Sequence, residues 1–388
     1  MVFKNQTKIA IVTHKMVMGG IEKSLIELCK KLLDNGCEVT LYLEELGGEL
    51  YSEIPKCIKI YHIFEKCNSS REILTKKMRE GNFSAIFGYL FANLYNRCGW
   101  DPVKGWKYTV KYVDEGDEKY EYAFAYGAPV SFSVIYVDKI INAKKKYAWI
   151  HNEIDQLSLN IVKYKEIFRN FDKIICVSKK VQDLFIKYFP EYKTKTFLFY
   201  NFIDRKYILS QAEKNIFNDR FNGIKLLTVG RICYQKGQDL IPVITKRLVE
   251  NGYNIRWYCV GDGEKKEDLI KLIKKEKMED RVILLGSQKN PYPFFSMADI
   301  YIQPSRSEGF GITISEAKIF NLPIITTDFA AANEQICNGE TGLIVQFDEN
   351  AIYNAIVKLL DKHIREEIQA NFRIDPKKCE SNLDELLN

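Results

Sequence analysis

Apolar and polar positions along this chain follow two alternating rhythms. Compact runs such as Ile9–Thr13, Glu38–Leu43, Tyr122–Tyr126, Tyr147–Ile150 and Ile174–Val177 are short and rich in β-branched and aromatic residues, as strands of a buried parallel sheet are. Between the first two lies Ile21–Leu33, where Ile21, Leu25, Leu28 and Leu32 recur at helical spacing. Asn35 and Gly36 end that helix before Glu38–Leu43 returns as a strand, so the chain opens β-α-β and predicts a parallel sheet. A further helix is predicted from Pro129 to Val137, and Ser178 is placed to cap the helix that follows Ile174–Val177. The pattern between Gly47 and Gly81 resolves into no element.

Thr196–Asn201 reads as the strand that closes the first half, and polar Ser210–Asn222 as a linker. The rhythm then begins again. Ile224–Val229, Ile255–Val260, Arg281–Leu285, Ile300–Gln303 and Pro323–Thr327 are predicted strands, with helices over Thr313–Phe320, Asn350–Leu360 and Arg365–Asn371. The fold class expected is α/β, two Rossmann-like doubly wound domains over residues 1–203 and 204–372, with a tail over 373–388. Ligands of open α/β sheets bind at the carboxyl ends of the strands, so two such sheets facing each other place the site in the cleft between them.

A chain of 388 residues exceeds what one core holds, which agrees with two domains. Its 46% hydrophobic and 13% aromatic content excludes disorder. Ten cysteines occur singly, without a Cys-x-x-Cys pair, and are expected to be buried reduced thiols in a cytoplasmic protein. With four histidines there is little material for metal chemistry, and no metal or other cofactor is expected. The N-terminus lacks the apolar segment of a signal peptide, and the most apolar stretch, Phe83–Leu94, is twelve residues long, too short to span a bilayer.

Charge is unevenly divided. Residues 1–200 carry 31 Lys and Arg against 24 Asp and Glu, while the remainder carry 26 against 27. No basic stripe interleaved with stacking aromatics accompanies the surplus, which argues against nucleic acid. Attraction to an anionic membrane surface or a diphosphate-linked lipid is the better expectation, with the inner face of the membrane as the location. Lys144–Lys146 reads as a solvated loop just before a strand.

The chemistry gathers at strand ends. Glu308 and Glu316 lie eight positions apart across the turn Gly309–Gly311, between the strand Ile300–Gln303 and a helix. Glycines there let backbone approach a ligand, and a helix's first turn offers free N–H groups to an anion. The plainer alternative makes Glu308 a partner of the helix dipole and Glu316 a solvated helix residue. Arg231 and Lys236 share the connection after Ile224–Val229, where a planar fork and a point charge can converge on a pyrophosphate. Gly19 and Gly20 stand between the first strand and its helix, and His151 ends the run Tyr147–Ile150. Neither Gly-x-Gly-x-x-Gly nor a P-loop occurs.

Glu308 to Ala317, then Leu322 to Ile325 and Asn338 to Val345, resemble the donor-binding signature of glycosyltransferase family 4, whose members are retaining and have the GT-B fold. Val229 to Arg231 with Lys236 and Gly237, Val260 to Gly263, and Met18 to Glu22 agree in order and position. The resemblance is strong over about residues 200–350 and weaker over 60–145. It implies two facing domains, a tail returning to the first, and metal-independent transfer of a sugar from a nucleotide diphosphate, a uridine diphosphate donor first, to a glycan or lipid-linked acceptor in surface polysaccharide synthesis. A nucleotide-sugar epimerase of GT-B type and an inactive scaffold are the other readings of this fold.

By the same resemblance, Arg231 and Lys236 neutralise the leaving diphosphate, Glu308 positions the donor sugar, and Glu316 binds ribose hydroxyls. Gly309, Phe310, Gly311 and Ile312 offer N–H groups to the distal phosphate, and the base stacks at the loop Gly286–Asn290, which includes Ser287. Gly19 and Gly20 face the donor diphosphate, and His151 bonds a donor hydroxyl without acting as base. The departing phosphate takes the acceptor's proton. Asn201-Phe202-Ile203-Asp204 departs from the family's commoner Asn-Gly-Val/Ile-Asp, which implies altered geometry at the hinge and puts a role for Asp204 in question.

Overall fold

The computed structural model describes residues 7–64, 102–110, 118–152, 161–214, 217, 219–329, 331–372, 379 and 381–387. The stretch Phe83–Leu94 and residues 65–81 of the Gly47–Gly81 segment lie outside them. The described chain forms two wholly parallel sheets. The first contains β1 (Lys8–Thr13), β2 (Glu38–Leu43), β3 (Lys59–His62), β4 (Lys119–Ala128), β5 (Asn142–Ile150), β6 (Lys173–Cys176) and β7 (Thr196–Leu198), in the order β3-β2-β1-β4-β5-β6-β7. The second contains β8 (Ile224–Val229), β9 (Ile255–Val260), β10 (Val282–Leu284), β11 (Ile300–Gln303), β12 (Ile324–Thr327) and β13 (Gly342–Val345), in the order β10-β9-β8-β11-β12-β13.

Each sheet reverses its winding beside its first strand, between β1 and β4 and between β8 and β11. The loops leaving β1, β8 and β11 therefore open at the two switch points, where crevices form. The central strands are apolar because both faces are covered: Ile9 to Val12 and Ile300 to Ile302 are fully buried. Trp257 fills the second core and satisfies its indole N–H on Thr228 Oγ1 at 3.0 Å.

Several sequence expectations change. The triplet Lys144–Lys146 lies within β5, which begins at Asn142, and Lys144 pairs with Glu121 of β4 at 2.8 Å. Alternation with solvent at this end of the strand hid it. Ser210 to Ala212 belong to the helix Arg205–Ala212 and not to a linker, because Asp204 caps that helix by accepting the Tyr207 N–H at 2.9 Å. The strand after Thr196 ends at Leu198, short of Asn201. β3 and β13 had no sequence counterpart. Cys57 is exposed and Cys337 and Cys379 are half-buried, so burial does not hold for every thiol; each lies outside a central strand.

The two domains are pinned together by contacts that cross from one sheet's loops to the other's. Glu334 of the second domain accepts the backbone N–H groups of Lys179 and Lys180 at 2.8 and 3.2 Å, at the start of the helix Lys179–Tyr188, and the Tyr200 hydroxyl at 2.9 Å. A carboxylate there complements the helix N-terminus. The helix Leu383–Leu387 at the chain's end lies against the first sheet: Lys173 donates to the carbonyls of Glu385 and Leu386 at 3.2 and 3.0 Å, and Tyr122 donates to that of Leu387. Among the described residues no helix is long and apolar enough to cross a membrane.

Candidate functional site

The loop leaving β11 turns sharply into the helix Ile312–Ile319 through Gly311, which caps it at φ +78°, a left-handed conformation that a residue with a Cβ adopts only with strain. One oxygen of Glu308 in this loop accepts three hydrogen bonds, from Gln303 Nε2 at 2.6 Å, Ser305 Oγ at 3.0 Å and Lys236 Nζ. Gln303 is itself aimed by Tyr301 and Thr313, whose hydroxyls donate to its Oε1 at 2.9 and 2.7 Å. The carboxylate is thereby fixed before any substrate arrives. Lys236 reaches it because Gly237, at φ +67°, lets its loop press on the carbonyl of Pro304. A phosphate bound at Lys236 would compete with Glu308 for the same ammonium. Arg231, on the same connection, is exposed, and its carbonyl is held by Gln238 Nε2 at 3.1 Å.

Glu316 is only 2% exposed, which rules out a solvated helix residue. Its Oε1 accepts from Tyr292 OH and from Lys23 Nζ, each at 3.2 Å, and Lys23 comes from the first domain's helix Gly20–Asp34. Its Oε2 has no partner among the described residues. A buried charged oxygen without a partner is costly and marks a place where a donor belongs. Burial and the adjacent carboxylate raise the Tyr292 phenol far above its usual value, so it stays a donor. A cavity of about 450 Å³ opens here, lined by Lys23, Phe202, Asn290, Tyr292, Ile312 and Glu316 among others, a volume within the range of ligand sites. Of the loop expected to meet the base, Lys289 and Asn290 line this cavity, whereas Gly286 and Ser287 do not.

The first domain faces this edge with His151 and the glycine loop. His151 directly follows β5, is buried, and packs against Tyr126 with ring centroids 4.4 Å apart and the rings tilted by 57°. Burial pushes its imidazole down to about 3, so it is neutral at physiological pH, and its Nε2 has no partner among the described residues. Gly309 of the second domain packs on the carbonyl of His151 so closely that a Cβ at 309 would overlap that oxygen. A Cβ on Gly20 would likewise meet Ile312 Cγ2 at 3.0 Å. Glu22 curls back over Gly19, and burial pushes its carboxyl up to about 7 against the pull of its own backbone N–H and of Arg231 opposite.

The structure thus brings Glu308, Lys236, Gly309, Gly311 and His151 into one cluster of contacts that crosses the cleft and Gly20, Ile312 and Glu316 into a second. It adds Lys23, Gln303, Ser305 and Tyr292, which sequence reasoning missed. Tyr292 follows Pro291, and that pair after a strand and loop was the one available signal of a helix entering the site.

Residues 211–375 match the family model described as Glycosyl transferases group 1. An uncharacterized glycosyltransferase of Methanocaldococcus jannaschii is 31% identical over 224 residues, 54% of this chain and 54% of its own length. A capsular polysaccharide biosynthesis glycosyltransferase of Staphylococcus aureus, CapM, is 31% identical over 172 residues, 42% of this chain and 43% of its own. The chain spans about half the length of the curated relatives it matches most extensively. Among solved structures, HepE of Anabaena in complex with UDP and glucose superimposes with a TM-score of 0.70 at 16% identity, covering 95% of this chain and 94% of that one. Its two facing sheets thus have the GT-B architecture, and residues 211–375 make this part of the chain similar to the group 1 glycosyltransferases.

Proposed function

We propose that this protein is a retaining, metal-independent glycosyltransferase that moves a sugar from a uridine diphosphate donor to a glycan or lipid-linked acceptor in surface polysaccharide synthesis. The observation that carries the reading is Glu316: a buried carboxylate with one oxygen held by Tyr292 and Lys23 and the other without a partner, on the wall of a cavity that both domains line. Such an oxygen suits a ribose hydroxyl, which is a donor. Lys236 and Arg231 supply the positive charge that the departing diphosphate requires, and Glu308 stabilises the charge that grows on the sugar. The glycines at 309 and 311 and the start of the helix Ile312–Ile319 receive the distal phosphate. His151, held neutral, turns its Nε2 to a donor hydroxyl. UDP in the complex of HepE, and the role of CapM in capsule synthesis, support the choice of donor and of pathway class.

The first domain, residues 1–203, takes the acceptor side, and its basic surplus draws the protein to the cytoplasmic face of an anionic membrane. The deciding experiment is turnover of a panel of UDP-sugars with and without octyl glycosides, in the presence of a chelator. Release of UDP that depends on an added glycoside and ignores the chelator is the expected result. Sugar rearrangement without acceptor, or an absolute need for a divalent ion, would overturn it.

A further inference from the structure

The loop expected to meet the base supplies little that could read its pairing edge. Of that loop Lys289 and Asn290 reach the cavity beside Glu316, and the Asn290 amide is already committed: its Nδ2 donates to the Gln211 carbonyl at 2.8 Å and its Oδ1 accepts the Tyr292 N–H at 3.2 Å. The opposite wall comes from the first domain. Lys23, Ile26, Glu27 and Lys30 line the same cavity from one face of the helix Gly20–Asp34, at the spacing that sets side chains one turn above another.

Glu27 and Lys30 form an ion pair on that wall, with Lys30 Nζ 2.6 Å from Glu27 Oε1 and the two side chains 34% and 15% exposed for lysine and glutamate. The ammonium also lies 4.5 Å from the centroid of the Tyr207 ring, so it is held from two sides. Glu27 Oε2 and the remaining Lys30 protons make no hydrogen bond among the described residues. An i,i+3 pair on an open helix face is ordinary. This one borders a cavity and sets an unspent acceptor beside an unspent donor.

Lys23 fixes the scale. Its Nζ is 3.2 Å from Glu316 Oε1, so a ribose bound at Oε2 lies level with Lys23, and Glu27 follows one turn on, about 5.4 Å along the helix. A base attached to that ribose extends over such a span. The electrostatics agree: the Tyr292 phenol that bonds Glu316 is raised by burial, then by Glu316, with Tyr207 and Glu27 adding to it.

We propose that Glu27 and Lys30 read the pairing edge of the donor's uracil, Glu27 accepting from N3–H and Lys30 donating to O4. This inference rests on the uridine diphosphate reading and adds the residues that choose the base. In uracil a ring N–H stands next to a carbonyl oxygen, the complement of a carboxylate beside an ammonium. Cytosine reverses both positions: its bare N3 would face the carboxylate, and its exocyclic amino group would face the ammonium. Selectivity then comes from two mismatches as well as two contacts. The pair sits on the first domain and Glu316 on the second, so the base is read only while the cleft is closed.

The test uses the full chain and two probes, UDP and CDP, that differ only at this edge. Titration calorimetry of both into the wild type, Glu27→Leu, Glu27→Gln and Lys30→Met gives the preference within each protein, so a loss of stability common to both probes cancels. The expected results are UDP bound about 10-fold or more tighter than CDP by the wild type, and a preference that collapses in Glu27→Leu and Lys30→Met through loss of UDP affinity alone. Glu27→Gln, which keeps an acceptor and adds a donor that cytosine N3 can accept, narrows the preference with circular dichroism unchanged. A wild type that binds UDP and CDP equally, a preference within twofold of wild type in Glu27→Leu or Lys30→Met, or equal losses for both nucleotides would each overturn the assignment. A wild type that binds neither would overturn the uridine diphosphate reading itself; UDP binding that ignores Glu27 overturns this inference alone.

Discussion

The two edges of the cleft are built in opposite ways. On the second domain, Glu308 is held by Gln303 and Ser305 from its own loop and by Lys236 across from β8, and its helix starts at Gly311. On the first domain, the polar contacts join separate elements: His14 meets Glu44 thirty positions on, and Glu44 meets Ser133 a further 89 positions on. The Glu308 edge thus rests on two contacts within its own loop and one from 72 positions away, whereas both contacts of the His14 edge join separate elements. On the proposed function, neutralising a diphosphate is one task whatever the sugar, while acceptors differ, so contacts within one loop suit the first edge and contacts between separate elements the second.

The sharpest way to break this arrangement is to force the edges apart. A Cβ at Gly309 would overlap the carbonyl of His151, so Gly309→Ala must shift one domain against the other. Overpacking of this kind costs about 1–3 kcal/mol. Lower Tm, a larger radius of gyration in small-angle scattering and a loss of transfer are expected; an unchanged radius and full activity would show that the domains do not meet there. Lys236→Ala strips Glu308 of its counter-ion and, on the proposed function, the diphosphate of its cation. The expected outcome is a fall in kcat that exceeds the rise in donor KM, because the charge in question develops as the bond breaks. Equal effects on both would place Lys236 in ground-state binding only.

How far each edge could be read from the chain follows from the same contrast. Strand–turn–helix spacing around Glu308, Glu316, Arg231 and Lys236 is local, and both glutamates now stand in ion pairs with lysines where periodicity located them. The lysine that meets Glu316 was not legible, because Lys23 lies 293 positions away and looks like any charged residue on an amphipathic helix. Tyr292 and Gln303 were missed for a similar reason: their polar ends matter only once packing has buried them. The alternation in β5 concealed Lys144–Lys146 as strand, and the short edge strands β3 and β13 carry too few residues to announce themselves. The charge surplus of the first half was real but did not say where it lies; beside His14 the described carboxylates outnumber the cations.

A smaller effect sharpens the comparison at Glu22, where the edges face each other. Its carboxyl is pushed up to about 7 in the folded chain, above the ordinary 4.5, so ionising it opposes folding. The stability it contributes is complete below about 4.5 and is lost as pH rises through about 7. Glu22→Gln should therefore leave Tm unchanged near pH 4 and raise it at pH 8. A lower Tm at pH 8 would mean that attraction to Arg231 outweighs burial.

The claim that most depends on the closed cleft is that Glu316, shared between Lys23 and Tyr292, grips the ribose of a uridine diphosphate. Titration calorimetry of UDP into the wild type and Glu316→Ala tests it directly. A hydrogen bond to a charged group is worth about 1.5–3 kcal/mol, so the account predicts a Kd raised roughly 10- to 150-fold in the variant, with the fold intact by circular dichroism. UDP affinity equal in the two proteins, or no UDP binding in the wild type, would contradict it.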